Sequence, residues 1–426
     1  MTVGINICAV YSKLRTFSSH ATILPNMKKL WDKKGAKKTN NRTNQVVENY
    51  TVGVDYLLDL ELLPYDIKGT MAHAKMLYKI KILNSKELSI LLKGLNKILS
   101  LWKSGKFKID KSQEDSSTAI EMYLTEQYGE VGKKVHTGRS RNDQILVTTR
   151  LFSKEKLLEI QKQVLDLTWS LEQQIRKQGK IKMPGYTHMQ RAMPSSVGMW
   201  LGSYHDSLKD DLILLEAVMK IIDQNPLGSA AGYGERILGL DRKFTTRELG
   251  FKKVQENPMY CAMSRGKFES IILQTVSSVM FDIGKIANDL LLFTTKEFDF
   301  FTLSESFKTG SSIMPQKKNY DVLELIRGNI AIFNGYQDQI ENVVKNLPAG
   351  YNRDFQLTKE PYIKGVRLAL ESIEVMTLVI KNLQAKKKNL ENACSQELYA
   401  TDEALKLVKS GMSFREAYQQ VKEKYA

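Results

Sequence analysis

Residues 157–171 read LLEIQKQVLDLTWSL, and within them Leu157, Ile160, Val164, Leu167 and Leu171 recur at steps of three and four. Steps of that kind return to one side of a helix every turn, so the segment predicts a helix with a continuous apolar stripe. Two further segments repeat the pattern. One carries Leu201, Tyr204, Leu208, Leu212, Leu215, Met219 and Ile222; the other carries Ile272, Val276, Val279, Ile283, Ile286 and Leu290. A stripe sustained over so many turns needs an equally long partner, and that predicts long helices packed side by side. Proline spacing agrees. No proline stands between Pro64 and Pro184, and later ones fall singly at Pro194, Pro226, Pro258, Pro315, Pro348 and Pro361. Because proline interrupts helices, the intervals leave long uninterrupted segments from about residue 65 onward. Strand-like alternation is scarce and no internal repeat stands out, so the fold class is all-α with a central long-helix bundle.

The composition suits a folded chain. Of 426 residues, 42% are hydrophobic and 26% charged, enough for a large core divided among two or three domains. No apolar run approaches the roughly 18 residues that a membrane-spanning helix requires. Cys8, Cys261 and Cys394 are scattered, with no CxxC pair and no histidine at metal spacing, which points to a reducing, cytoplasmic setting and away from disulfides and structural zinc. The formal charge of +16 attracts anions, but the lysines are spread along the whole chain. Nucleic-acid binding concentrates charge among aromatics, so the surplus reads as surface charge, with a smaller case for steering an anionic substrate. The first acidic residue is Asp32. That leaves residues 1–26 as a transit-like segment or, more simply, an extension ahead of a start at Met27, with loose order expected to about residue 45.

Three polar segments carry chemistry. Gly310-Ser311-Ser312-Ile313-Met314-Pro315-Gln316-Lys317-Lys318-Asn319 combines a flexible glycine, paired hydroxyls, a stiffening proline and two lysines. Lys317 would favour an ionised serine nearby and negative charge growing on a substrate carboxylate; a solvated basic turn is the bland alternative. His136-Thr137-Gly138-Arg139-Ser140-Arg141-Asn142-Asp143 precedes the first striped helix. Guanidinium forks and a helix start suit carboxylates, although Asn142 or Asp143 could simply cap the helix. Tyr186-Thr187-His188-Met189-Gln190-Arg191-Ala192-Met193-Pro194 places a histidine in a polar loop, a setting for acid–base work once a carboxylate such as Glu324 orients it.

Together, in this order and spacing, these segments resemble the argininosuccinate lyases of the fumarase/aspartase superfamily. The Gly310–Asn319 run resembles that superfamily's mobile signature loop, while the His136–Asp143 and Tyr186–Pro194 blocks are more characteristic of argininosuccinate lyase. The likeness extends from about Leu30 to Glu416 and includes Tyr351-Asn352-Arg353-Asp354-Phe355-Gln356. It implies a β-elimination yielding fumarate and arginine in the last step of arginine biosynthesis, with no metal or organic cofactor, no nucleic acid and no membrane. It implies Ser311 as general base, with Lys317 and Asn319 holding the carboxylate whose aci form develops. His188, oriented by Glu324, would assist the departing guanidino nitrogen beside Thr187. Arg141 and Asn142 would bind the succinyl portion, and Tyr351, Gln356 and Lys359 the more distant groups. It also implies a three-domain subunit: a helical domain over 27–138, the bundle over 139–389 and an apparently short helical domain over 390–426. Such subunits form homotetramers with shared active sites.

The match departs at several places. Ser117, within Glu114–Glu121, stands where the family usually has a pocket histidine, and serine cannot carry its charge. Tyr320 and Arg353 replace a common proline and lysine, relatives continue beyond the region of Ala426, and Thr51–Asp55 lies where a substrate-binding stretch is expected. The competing readings are a lyase for another substituted succinate (adenylosuccinate, aspartate or malate) and a catalytically idle homologue of the lens-crystallin kind.

Overall fold

The computed structural model describes residues 41–425. The expectations for residues 1–26 and for Met27 lie outside them. Helix α1 (Asn41–Val52) already begins within the stretch expected to be loosely ordered. It belongs to a separate compact unit from the remainder, which runs from Val54.

In that larger unit, α2 (Asp55–Lys79), α3 (Ser85–Lys103), α4 (Ser116–Tyr128) and the single turn α5 (Glu130–Lys133) come first. They surround a cluster that includes Leu63, Ile67, Leu77, Leu91, Leu95 and Leu124. Helix α2 starts ten residues before the predicted boundary and runs through Pro64. Proline cannot donate to the carbonyl one turn back, which normally breaks a helix. Here Trp102 Nε1 donates to that carbonyl, Leu60 O, at 2.6 Å, so the acceptor is satisfied and the helix continues.

The long helices follow: α6 (Arg141–Gln178), α7 (Val197–Ile222), α10 (Lys267–Phe293), α11 (Asp321–Val344) and α12 (Lys359–Lys381). Between α7 and α10 lie α8 (Arg242–Glu248) and α9 (Pro258–Met263), with β3 (Gln224–Asn225) parallel to β4 (Lys253–Val254). All five α6 stripe residues and all six of α10 are buried. In α7 the stripe is also buried, except that Leu212 and Met219 remain partly accessible. Helix α10 has the length and composition of a membrane span, but its apolar stripe is enclosed by its neighbours, as in a core helix. One departure from the sequence reading is a β-hairpin between α6 and α7, formed by β1 (Lys182–Thr187) and β2 (Gln190–Ser196). The others are two-residue pairs: β3 with β4, β5 (Phe301–Thr302) with β8 (Gln384–Ala385), and β6 (Thr309–Gly310) with β7 (Lys318–Asn319). The chain closes with α13 (Lys387–Asn392), α14 (Ala400–Lys409) and α15 (Phe414–Tyr425), the last two sharing a small apolar cluster.

Side-chain bonds fix the direction of each long helix. Arg150, early in α6, donates to Ile222 O and Gln224 O at the end of α7, at 3.1 and 2.9 Å. Ser153 meets Tyr362 near the start of α12, and Gln174 near the end of α6 caps Ile380 O near the end of α12. Trp200 at the start of α7 packs on Phe293 at the end of α10, with ring centroids 5.7 Å apart. Gly266, at φ +77°, lets the start of α10 approach the end of α11 so closely that a Cβ there would collide with Val344. Thus α6, α10 and α12 run one way, and α7 and α11 the other. Helix α6, with 38 residues, spans about 57 Å, and so the bundle has two widely separated ends.

Two carboxyls on facing helices, Asp211 of α7 and Asp282 of α10, are buried, and among the described residues neither Oδ2 has a hydrogen-bond partner. Burial pushes Asp211 up to about 6; the Ser278 hydroxyl opposes this, while the Asp282 and Asp210 carboxylates add to it. An unfolded aspartate ionises near 3.8, so the folded chain holds an extra proton between about 4 and 6. The Asp211 contribution is therefore most favourable in acid and is lost as pH rises through about 6. Asp211→Asn, neutral at every pH, should unfold at a higher temperature than the parent at pH 8, by the equivalent of about 1–3 kcal/mol. The gap should narrow steadily when both are melted at pH 5. A gap independent of pH would dismiss ionisation as its cause.

Candidate active site

At the first end of the bundle, the His136–Asp143 block turns into α6. Gly138 takes φ +71° against Leu238 and Leu240, a backbone state glycine adopts without strain. The helix is capped by Ser140, not by Asn142 or Asp143. Asn142 N donates to Ser140 Oγ at 3.3 Å, and Ser140 N donates to Asp143 Oδ1 at 3.0 Å. Asp143, fully buried, also accepts from Gly228 N and Ala230 N at 3.0 and 3.2 Å, tying in the loop after α7. Arg141 is left at the rim, where it donates to Thr118 Oγ1 and faces Asp115 at 3.3 Å and Glu114 at 3.6 Å. Asn142 beside it is partly buried. His136 is held down near 4 by burial and by the Arg139 and Arg141 cations, so it is neutral at physiological pH.

The same end receives the start of α12. Lys359 is buried, and its ammonium bonds Asp59 Oδ1 at 2.6 Å and lies 3.0 Å from Asp55 Oδ2. Burial by itself would lower its pKa; Asp59 and Asp55 outweigh that, and the net direction is upward. Asp59 Oδ2 in turn accepts from Ser116 N at 2.8 Å. Tyr351, exposed, packs obliquely against Phe355, and Gln356 is partly buried in the short 3₁₀ turn Arg353–Thr358. Ser117 donates its hydroxyl to Asp66 Oδ2 at 2.8 Å. The reading of residues alone overlooked Asp55, Asp59 and Asp66. Their spacing of four and seven marks one helix face, a signal hidden by starting that helix at residue 65.

The remaining residues gather at the second end. The loop expected around His188 is the tight turn of the β1–β2 hairpin: Thr187 pairs with Gln190, leaving only His188 and Met189 between the strands. Both have positive φ, 51° and 61°, as a type I′ turn demands. Two successive non-glycine residues in that region are uncommon, and strain of this kind marks functional turns. Tyr186, at the hairpin's base, packs on Phe298 and Phe293. The exposed Thr187 and His188 therefore project from a rigid foot.

The signature segment 311–317 is the loop joining β6 to β7, whose register sets Gly310 opposite Lys318 and Thr309 opposite Asn319. Thr309 Oγ1 donates to Asp321 at 2.6 Å, anchoring the loop's base to α11. Within it, Ser311 Oγ accepts from Met314 N at 3.1 Å and from Ile313 N at 3.4 Å. Hydrogen bonds into an oxygen favour its ionised form, so this turn lowers the cost of taking the hydroxyl proton. Lys317 is exposed and adds a positive charge to the same loop, and Asn319 is partly buried in β7. Ile313 is 83% exposed, an apolar side chain left uncovered at the tip. Glu324 lies in the first turn of α11, exposed. Among the described residues no hydrogen bond joins it to His188. Tyr320, in place of proline, is accommodated: its hydroxyl accepts from Leu303 N at 3.3 Å.

The candidate residues therefore fall into two groups. Arg141, Asn142, Tyr351, Gln356 and Lys359 lie at the end where α6 and α12 begin. Thr187, His188, Ser311, Lys317, Asn319 and Glu324 lie at the end where α6 stops and α7 and α11 begin. With about 57 Å of helix between them, one chain cannot bring both groups onto one small molecule.

Residues 38–332 match the family model described as Lyase. The chain is 41% identical over 397 residues to the argininosuccinate lyase of Thermotoga neapolitana, a match spanning 93% of this chain and 98% of that one. It is 41% identical over 398 residues to the argininosuccinate lyase of Xylella fastidiosa, spanning 93% and 87%. Among solved structures, an EDDS lyase in complex with formate superposes with a TM-score of 0.76 at 25% identity, covering 85% of this chain and 71% of that one. A class II fumarase from Schistosoma mansoni, at 16% identity with a TM-score of 0.74 over 88% and 87%, shares the fold.

Proposed function

Because this chain belongs to the argininosuccinate lyase family, we propose that its two half-sites, contributed by different subunits of a homotetramer, together cleave argininosuccinate to fumarate and L-arginine. The separation of the half-sites along α6 carries the reading: each end holds part of the required chemistry, and only a second copy can supply the rest. The outward sides of the long helices suit such assembly. Leu158, Leu165 and Trp169 of α6, Phe281 of α10 and Leu325 and Ile332 of α11 are all exposed in the single chain.

In the proposed reaction Ser311 removes a proton from the carbon beside a substrate carboxylate. Lys317 and Asn319 hold that carboxylate while it takes up the electron pair. The pair then forms the double bond of fumarate as the carbon–nitrogen bond breaks, and His188, oriented by Glu324, delivers a proton to the guanidino nitrogen. Arg141 and Asn142 hold the succinyl portion, with Thr187, Tyr351, Gln356 and Lys359 fixing the rest. Positioning and charge stabilisation supply the rate, with no step assigned to a cofactor. The role is last-step arginine biosynthesis in the cytoplasm, and the division into 27–138, 139–389 and 390–426 is proposed from the family likeness, the bundle's apolar cluster itself reaching across both boundaries to Leu62, Leu390 and Ala393.

Purified protein given argininosuccinate should release fumarate, followed by ultraviolet absorbance, and equimolar arginine; adenylosuccinate and aspartate should give none. Shared sites have their own test. Arg141→Ala and His188→Asn should each be nearly inactive, the latter keeping the left-handed turn because asparagine tolerates it. When the two variants are unfolded together and reassembled, activity absent from both parents should return. A mixture as inactive as its parents would place the whole site within one chain.

A further inference from the structure

We propose that Asp66 is a positioning residue for substrate binding, acting through the first turn of α4 on Arg141; this rests on the reading of Arg141 as a substrate ligand. Asp66 is 1% exposed on α2. Its Oδ2 accepts from Ser116 Oγ at 2.7 Å and Ser117 Oγ at 2.8 Å, and its Oδ1 accepts from Thr70 Oγ1 at 3.2 Å. Thr70 Oγ1 accepts in turn from Arg139 at 2.8 Å, within the same block as Arg141.

The first turn of α4 is thereby held from below at two successive residues, and Ser116 N is held again by Asp59 at 2.8 Å. Its other side faces Arg141. Asp115, the cap of α4, accepts from Thr118 N and Thr118 Oγ1 at 2.8 and 2.7 Å and presents its other oxygen, Oδ2, to the Arg141 guanidinium at 3.3 Å. Thr118 Oγ1 also accepts from Arg141. A shift of α4 would move both of these Arg141 partners together. A buried carboxylate is costly to desolvate, and here two of its three hydroxyl donors, Ser116 and Ser117, sit in the first turn of the helix whose cap and first turn contact the arginine. Ser117 has a single hydroxyl proton and gives it to Asp66, so it reaches the pocket by holding α4 in place.

Asp66→Asn should raise KM for argininosuccinate about tenfold while kcat stays within about threefold, with the oligomer intact and the melting temperature within a few degrees. In an Arg141→Lys background the same substitution should raise KM less than twofold further, because both changes act on one contact. Ser117→Ala, a milder break in the same chain of bonds, should show a smaller KM increase with the same non-additivity. It tests the proposal should Asp66→Asn fail to assemble. Additive effects, or an activity loss that merely follows the loss of assembled protein, would overturn the relay. If Arg141→Lys alone leaves KM unchanged, the assignment of Arg141 to substrate is at fault. If Arg141→Lys raises KM and Asp66→Asn does not, only the role of Asp66 falls.

Discussion

Ser311→Ala should lower the rate of fumarate release by a factor on the order of 10²–10⁴ while leaving the fold and assembly untouched. The expectation combines two features of the signature loop. Ser311 Oγ accepts backbone N–H groups from Met314 and Ile313, which favour an oxygen that has given up its proton, and Lys317 adds positive charge to the same short loop. Alanine cannot accept the proton from the substrate carbon, so the elimination would have to rely on water or on another loop hydroxyl. Structurally the change is mild. The loop's base is set by the β6–β7 register and the Thr309–Asp321 bond, neither of which involves the Ser311 side chain. Initial rates by ultraviolet absorbance, beside a melting curve and a measured oligomeric mass, check both halves. A variant within tenfold of the parent would remove Ser311 from proton transfer, and a broken oligomer would make its rate uninformative.

The second large effect concerns stability as well as binding. Lys359→Met should destabilise the chain by about 3–5 kcal/mol, because the buried ammonium is the cation between Asp55 and Asp59, and its loss leaves two carboxylates confined together. Methionine fills a similar volume, so the loss is electrostatic and not a packing defect. The damage should spread to α4, since Asp59 also holds Ser116 N. Removing one carboxylate at the same time, in Lys359→Met/Asp55→Asn, should recover part of the stability by relieving the repulsion. Urea unfolding of the two variants and the parent at pH 7.5 measures this. A change under about 1 kcal/mol would mean that the pair contributes little beyond a solvated contact. Substrate affinity in the double variant then reports what Lys359 does for binding once the stability effect is reduced.

Lys359 also shows where reading by residue and by likeness reached its limit. Likeness implies a substrate role for it, while its buried pairing with Asp55 and with Asp59, the latter 300 residues distant, is a relation no local pattern contains. The hairpin at His188 was missed for a related reason: Pro184 and Pro194 read as loop punctuation, yet they lie opposite each other in the strands, with Pro184 beside a register shift. Pro64 misplaced the start of α2 because the carbonyl it frees is satisfied by Trp102, one helix away.

By itself the sequence determined the helical bundle and marked the three polar segments proposed to carry chemistry. Each is local information: a repeat of three and four residues forces one side of a helix to be buried, and a short run of hydroxyls, cations or histidine states its own reactivity. Only the tertiary structure decided that those segments divide between two ends of the bundle. That division depends on the direction in which each long helix packs, and on the length of α6, about 57 Å, which no flexible side chain can bridge.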